Sequence, residues 1–213
     1  MKKILLVFGT RPEAIKMAPL VKEFNQFPNT FITKVCVTAQ HREMLDQVLD
    51  FFNVETDYDL DLMRPGQNLY SLTAIIIESL KPILEEFKPD YVFVHGDTTT
   101  TMASSIASFY AGAKVCHVEA GLRTNNKLSP FPEEINRQVT GRICDYHFAP
   151  TDTSKSNLLL ENVNKDSILV TGNTVIDALL NSVKKVNEKP SELINELSKK
   201  IGEKEVVLVT GHR

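Results

Sequence analysis

The sequence predicts an α/β fold: a doubly wound, Rossmann-like parallel sheet. Short Val-rich runs recur along the chain, and such runs read as strands buried on both faces of a parallel sheet. They alternate with helical patterns almost without interruption, which calls for right-handed βαβ crossovers. Three of the runs end on polar clusters: His95-Gly96-Asp97, His117-Val118-Glu119 and Thr210-Gly211-His212. Ligands of open α/β sheets sit beyond the carboxyl ends of the strands. An Asp, a Glu and a His therefore reach the edge where chemistry takes place.

The first strand, about 3–8, feeds a helix opening at Thr10, where Thr10 and Glu13 have capping-box spacing and Pro12 suits the first turn. Ala14, Met17, Ala18 and Val21 give that helix its buried stripe. A strand over 31–38 leads to a helix over about 42–52. After an irregular stretch containing Pro65-Gly66, a long helix runs from about 69 to 87, and Pro82 is expected to kink or split it. The strand ending at Gly96 precedes a helix over 98–110. Next come the strand ending at Glu119 and a loop over 120–132 rich in turn formers. A helix over 132–145, a strand over 147–149, a helix over 153–161, a strand over 168–171 and a helix over 174–186 follow. The segment 187–191 reads as a linker, and a last helix precedes a strand over 206–210. Residues 1–172 are expected to form one domain. Residues 173–213 are expected to supply connecting helices and the first strand of a second domain that the chain enters without completing.

Composition narrows the class. The chain has 213 residues, 42% of them hydrophobic, and a formal net charge of -3. That allows a real core and gives no electrostatic reason to expect nucleic acid or an acidic membrane as partner. Cys36, Cys116 and Cys144 lack CxxC spacing and read as reduced, buried thiols. The apolar run after Lys2-Lys3 is too short for a signal peptide, and no run approaches membrane-spanning length. A soluble, cytoplasmic protein is expected. No GxGxxG, Walker loop, GxSxG or HExxH occurs, and the five histidines never pair with cysteine at zinc spacing. The dinucleotide-binding fingerprint is thus missing, and the sequence leaves a metal open without supporting one.

The polar residues at the strand ends carry two readings each. Asp97, before Thr98-Thr99-Thr100-Thr101, is either a helix N-cap or a site residue, and the four hydroxyls could meet sugar or phosphate. Glu119, ending a buried Val-rich strand, is costly without a partner, which favours function. Glu133 and Glu134 at a helix start are accounted for by the helix dipole, and Arg137 by an i,i+4 pair with Glu133. Arg11 and Lys16 suit either a diphosphate beside a helix N-terminus or solvent. His212 favours a site role, whereas His95 and His117 read as structural, hydrogen-bonded histidines.

Several stretches together resemble one family. They are Gly9-Thr10-Arg11-Pro12-Glu13 through Pro19, Thr38-Ala39-Gln40-His41-Arg42-Glu43, His95-Gly96-Asp97 with its threonines, and His117 to Thr124. Pro132-Glu133-Glu134 with Asn136-Arg137, Thr171-Gly172-Asn173-Thr174 and Thr210-Gly211-His212-Arg213 complete the set. From the first strand to the last residue the chain is similar to the bacterial non-hydrolysing UDP-N-acetylglucosamine 2-epimerases. The resemblance implies the N-terminal portion of a two-domain GT-B fold, and an isomerase serving polysaccharide biosynthesis without cofactor or metal. It implies a homodimer that interconverts UDP-N-acetylglucosamine and UDP-N-acetylmannosamine by eliminating and re-adding UDP through 2-acetamidoglucal. On that resemblance Asp97, Glu119, Glu133 and His212 are catalytic, and Arg11 and Lys16 contact the diphosphate. Gln40, His41 and Glu43 match a regulatory site for a second nucleotide-sugar. A hydrolysing epimerase or a GT-B glycosyltransferase is the alternative, and this 213-residue chain alone is expected to be inactive or nearly so.

Overall fold

The computed structural model describes residues 1–39, 42–64 and 66–209. They divide into two compact units, Met1–Val175 and Ile176–Arg213. The first begins with β1 (Lys2–Phe8), α1 (Arg11–Asn25), β2 (Phe31–Val37), α2 (Arg42–Phe52), β3 (Tyr58–Asp59) and α3 (Leu69–Phe87). It continues with β4 (Tyr91–His95), α4 (Thr99–Tyr110), β5 (Lys114–Val118), α5 (Glu133–Ile143), β6 (Tyr146–Ala149), α6 (Asp152–Leu160) and β7 (Ile168–Val170). All strand pairs are parallel, in the order β3-β2-β1-β4-β5-β6-β7. The expected doubly wound α/β architecture is what forms.

Helices cover both faces of the sheet. On one, Leu5, Val7, Val92, Val94 and Val115 pack with Ile76, Leu80 and Leu84 of α3 and with Ala103 and Ala107 of α4. On the other, Phe24 of α1 meets Phe93 edge to face at 5.1 Å. Residues alternate between the two covers along β4, so every residue from Val92 to His95 is buried.

Two local expectations change. The helix containing Pro82 is not split: α3 is one continuous helix of 19 residues. Glu78, four residues before Pro82 and the residue whose carbonyl the proline leaves without its helical donor, is exposed. The stretch after α2 also contains β3, two residues that pair with Cys36 and Val37 at the sheet edge, too short for any periodicity to reveal.

The second unit holds most of α7 (Val175–Glu188) and all of α8 (Glu192–Ile201). The strand expected over 206–210 is not formed in its described part. Residues 204–209 take no regular structure, and Val206 to Val209 are exposed. An extended segment without a neighbouring strand has nowhere to place its backbone hydrogen bonds.

The chain turns one way from β1 to β2 and β3, and the other way through β4 to β7, so the order reverses between β1 and β4. In a doubly wound sheet that reversal opens a crevice at the carboxyl edge. Gly9 leaves β1 there in close contact with its neighbours: a Cβ would lie 1.9 Å from Thr38 Oγ1. Glu13, in the first turn of α1 and 2% exposed, ties the two sides together. One oxygen accepts the Gly9 and Thr10 amides at 2.9 and 2.7 Å, and the other accepts the Thr98 hydroxyl at 2.5 Å. Replacing Glu13 with Gln turns an amide NH2 toward donors. It is expected to lower unfolding free energy by about 2 kcal/mol in urea titrations; an unchanged midpoint would refute this role.

His117 and His147 are Cα partners on β5 and β6, each 1% exposed. Burial pushes their imidazoles down, to about 3 and about 4 respectively. The unfolded chain takes up these protons near pH 6.5, so their contribution is whole above that value and declines as pH falls toward 4. Urea denaturation is expected to show a loss on the order of 1–2 kcal/mol per histidine between pH 7 and 5. A stability that stays flat over that interval contradicts the assignment.

Candidate active site

A cleft of about 460 Å³ opens at the β1/β4 reversal, a size in the range of small-molecule sites. Arg11, Lys16, Asp97 and Glu119 line it together, with Met44 and His95. They come from three places along the sheet edge: Arg11 and Lys16 from α1 after β1, Asp97 after β4, Glu119 directly after β5.

Asp97 is not the cap of α4. Thr98 holds that position, accepting the Thr101 amide at 3.1 Å. The threonines are engaged in holding the fold: Thr98 binds Glu13, Thr100 meets the Thr38 hydroxyl at 3.0 Å, and Thr101 donates to the His95 carbonyl at 2.5 Å. The Asp97 carboxyl, released from capping, pairs with Arg137 at 3.0 Å, while Asn136 donates to the Asp97 carbonyl at 3.0 Å. Burial raises the Asp97 carboxyl above its ordinary value. Arg137 opposes that rise, and Glu133 and Glu119 add to it.

Arg137 does not form the expected side-chain pair with Glu133. Its guanidinium reaches Asp97 and lies 3.5 Å from Glu134, and it touches Glu133 only at the backbone carbonyl, at 3.4 Å. Glu134, fully buried, accepts the amides of Thr124 and Asn125 and the Gln138 side chain. It anchors the loop after β5 behind Arg137, a stronger constraint than a helix dipole. Glu133 opens α5 outside the cleft wall but close enough to act on Asp97.

Glu119 sits at φ 64, a left-handed conformation that is uncommon without glycine and gathers at functional sites. Three nitrogens converge on its Oε2: Lys16 Nζ at 2.5 Å, Asn173 Nδ2 at 3.0 Å and His95 Nε2 at 3.2 Å. The first two are hydrogen bonds. The His95 contact lies off hydrogen-bond geometry, and neither ring nitrogen of His95 has a hydrogen-bond partner among the described residues. His95 is therefore part of the cleft rather than a satisfied structural residue, a correction to its sequence reading. His117 fits that reading, with Nε2 2.6 Å from the Gly96 carbonyl. Burial works against ionisation of Glu119, and contact with His95 and Lys16 outweighs it, holding the carboxyl down at about 2. The two cleft carboxyls are thus pushed in opposite directions, a division that suits one to carry a proton and the other a lasting charge.

Arg11 is exposed at the cleft mouth and makes no ion pair among the described residues. Glu43 is exposed on the first turn of α2, outside the cleft wall that its neighbour Met44 joins. Gln40, His41 and His212 lie outside the described residues. Among the described residues no cluster of three metal-ligating side chains occurs, and no helix is long and apolar enough to cross a membrane.

Comparison with known proteins identifies the family. The sequence model described as UDP-N-acetylglucosamine 2-epimerase matches residues 23–213. The chain is 58% identical over 214 residues to the UDP-N-acetylglucosamine 2-epimerase of Escherichia coli K12, covering 99% of this chain and 57% of that protein. It is 56% identical to the probable UDP-N-acetylglucosamine 2-epimerase of Ralstonia solanacearum, covering 100% and 57%. Among solved structures, the Neisseria meningitidis UDP-GlcNAc 2-epimerase bound to UDP-GlcNAc aligns with a TM-score of 0.86 at 55% identity, covering 94% of this chain and 52% of that one. The Methanocaldococcus jannaschii UDP-GlcNAc 2-epimerase in complex with UDP-GlcNAc and UDP aligns with a TM-score of 0.84 at 31% identity, covering 93% and 54%. The chain spans somewhat more than half the length of these relatives, and over that span it belongs to the UDP-N-acetylglucosamine 2-epimerase family.

Proposed function

We propose that this chain contributes the acid–base half of a non-hydrolysing epimerase acting on UDP-N-acetylglucosamine at C2. The opposed shifts of Asp97 and Glu119 within one cleft carry the reading. The C2 hydrogen has no neighbouring carbonyl to acidify it, so direct proton exchange is unfavourable. Elimination removes a proton from C2 and UDP from C1, forming the C1–C2 double bond of 2-acetamidoglucal. Readdition returns UDP to C1 and a proton to the other face of C2, giving UDP-N-acetylmannosamine.

Asp97, raised toward neutrality, suits a group that takes or returns a proton. Glu119, held ionised, suits the positive charge that develops at C1 as UDP departs. Arg11 and Lys16 place two cations by the α1 N-terminus, where a departing diphosphate is favoured. Glu133 joins as a charge acting on Asp97, His212 as a further catalytic group, and Gln40, His41 and Glu43 as a regulatory subsite. The reading places the enzyme in the cytoplasm, in the supply of sugar for polysaccharide synthesis. Turnover belongs to the family-length polypeptide, and residues 1–213 alone are expected to show little. A homodimer is part of the proposal. An apolar groove of about 830 Å³ between α3, α4 and the start of α5, bordered by exposed Tyr70 and Phe131, offers a surface for a second copy.

The test is epimerisation by the family-length protein in D2O. The product is expected to be a UDP-sugar with deuterium at C2, and Asp97→Asn and Glu119→Gln are each expected to lower turnover by about 10²–10⁴-fold. Free N-acetylmannosamine would point to the hydrolysing alternative, transfer of the sugar to an acceptor to a glycosyltransferase, and protium retained at C2 would exclude the elimination route.

A further inference from the structure

Asn173 lies in the turn between β7 and α7, in the Thr171-Gly172-Asn173-Thr174 stretch that shares in the family resemblance but carries no site role in the sequence reading. Both ends of its side-chain amide are used. Oδ1 accepts the amide of Val175, the first residue of α7, at 3.0 Å, and Nδ2 donates to Glu119 Oε2 at 3.0 Å. The neighbouring Thr174 hydroxyl is buried without a partner, so it does not serve the helix start in place of Asn173. An amide bound at both ends has only one orientation that satisfies both contacts, because its oxygen cannot donate to a carboxylate. The start of α7 and the carboxylate of Glu119 are therefore joined through one side chain.

The contact also selects between the two oxygens of Glu119. Asn173, Lys16 and His95 all meet Oε2, and no hydrogen bond or ion pair reaches Oε1 among the described residues. Two donors, from α1 and the β7–α7 turn, hold one oxygen with the His95 ring of β4 beside it, and the other oxygen is left free of protein donors among the described residues. We propose that Asn173 is a positioning residue for Glu119, fixing Oε2 against the start of α7 so that Oε1 is the oxygen offered to the nucleotide-sugar. The proposal rests on the reading of Glu119 as a residue that acts on that ligand. It assigns the residue next to the boundary between the two units a part in setting the geometry of a carboxylate some fifty residues earlier in the chain.

Two substitutions separate positioning from structural support. Asn173→Asp keeps an oxygen for the Val175 amide and loses the donor to Glu119. Asn173→Ala loses both contacts without adding charge. The measurement is the titration of the Glu119 side-chain carboxyl by 13C NMR in the 213-residue chain, assigned with Glu119→Gln, together with thermal melting.

The Glu119 midpoint is expected to rise by about 1 unit or more in Asn173→Asp and by a smaller, resolved amount in Asn173→Ala. Both variants are expected to melt earlier at neutral pH, because a raised Glu119 midpoint removes stability there. Unmoved midpoints in both variants would overturn the proposal. So would a shift confined to the aspartate variant, since a nearby charge alone would explain it. No substrate enters this titration, so its outcome is independent of turnover. If both midpoints move while Glu119→Gln leaves epimerisation intact in the family-length protein, the catalytic reading of Glu119 fails and its placement by Asn173 stands.

Discussion

Three carboxyl groups, Glu13, Asp97 and Glu119, crowd the carboxyl edge of the sheet where the strand order reverses, each at least partly withdrawn from water. Charge held in such a place is costly unless every oxygen in use finds a donor. Much of the surrounding sequence answers that requirement. Glu13 takes backbone amides and a threonine hydroxyl, Asp97 takes Arg137, and Glu119 takes Lys16 and Asn173. The donors come from the β1–α1 turn, α1, the N-cap of α4, α5 and the turn before α7, so satisfying the carboxyls also fixes how those elements meet.

The means of satisfaction decide what each group can do. Glu13 is enclosed by donors and serves as a brace between the two sides of the crevice. Asp97 has one cation and two neighbouring acids, and burial prevails, so its carboxyl holds a proton more readily than usual. Glu119 meets an ammonium, an amide and an imidazole on one oxygen, and the attraction exceeds the penalty of burial. Two similar side chains are thereby pushed in opposite directions, and the proposed elimination of UDP rests on that division.

The fold was legible because its signal is repeated: buried Val-rich runs separated by amphipathic helices leave few topologies open. So was the edge at which the candidate cleft opens, because strand ends are where an α/β sheet presents side chains. Partners were less legible, since they depend on distances across the fold. Arg137 stands four residues from Glu133, yet its guanidinium turns to Asp97, forty positions back along the chain. The threonines after Asp97 resemble a phosphate-binding cluster until Glu13, Thr38 and the His95 carbonyl are seen to occupy them. His95 looked structural because it ends a buried strand, and only its unpaired ring nitrogens beside Glu119 place it in the cleft. Asn173 left a faint signal, an Asn after a Gly at a helix start, which local capping alone would explain.

The central claim is that one cleft holds Asp97 and Glu119 in opposite electrostatic states. Site-resolved 13C titration of both carboxyls in one sample, from pH 7 to pH 4, tests it most directly. The account predicts that Asp97 begins to take up its proton within that interval while Glu119 remains ionised throughout. Protonation of Glu119 ahead of Asp97, or of both together, would contradict it.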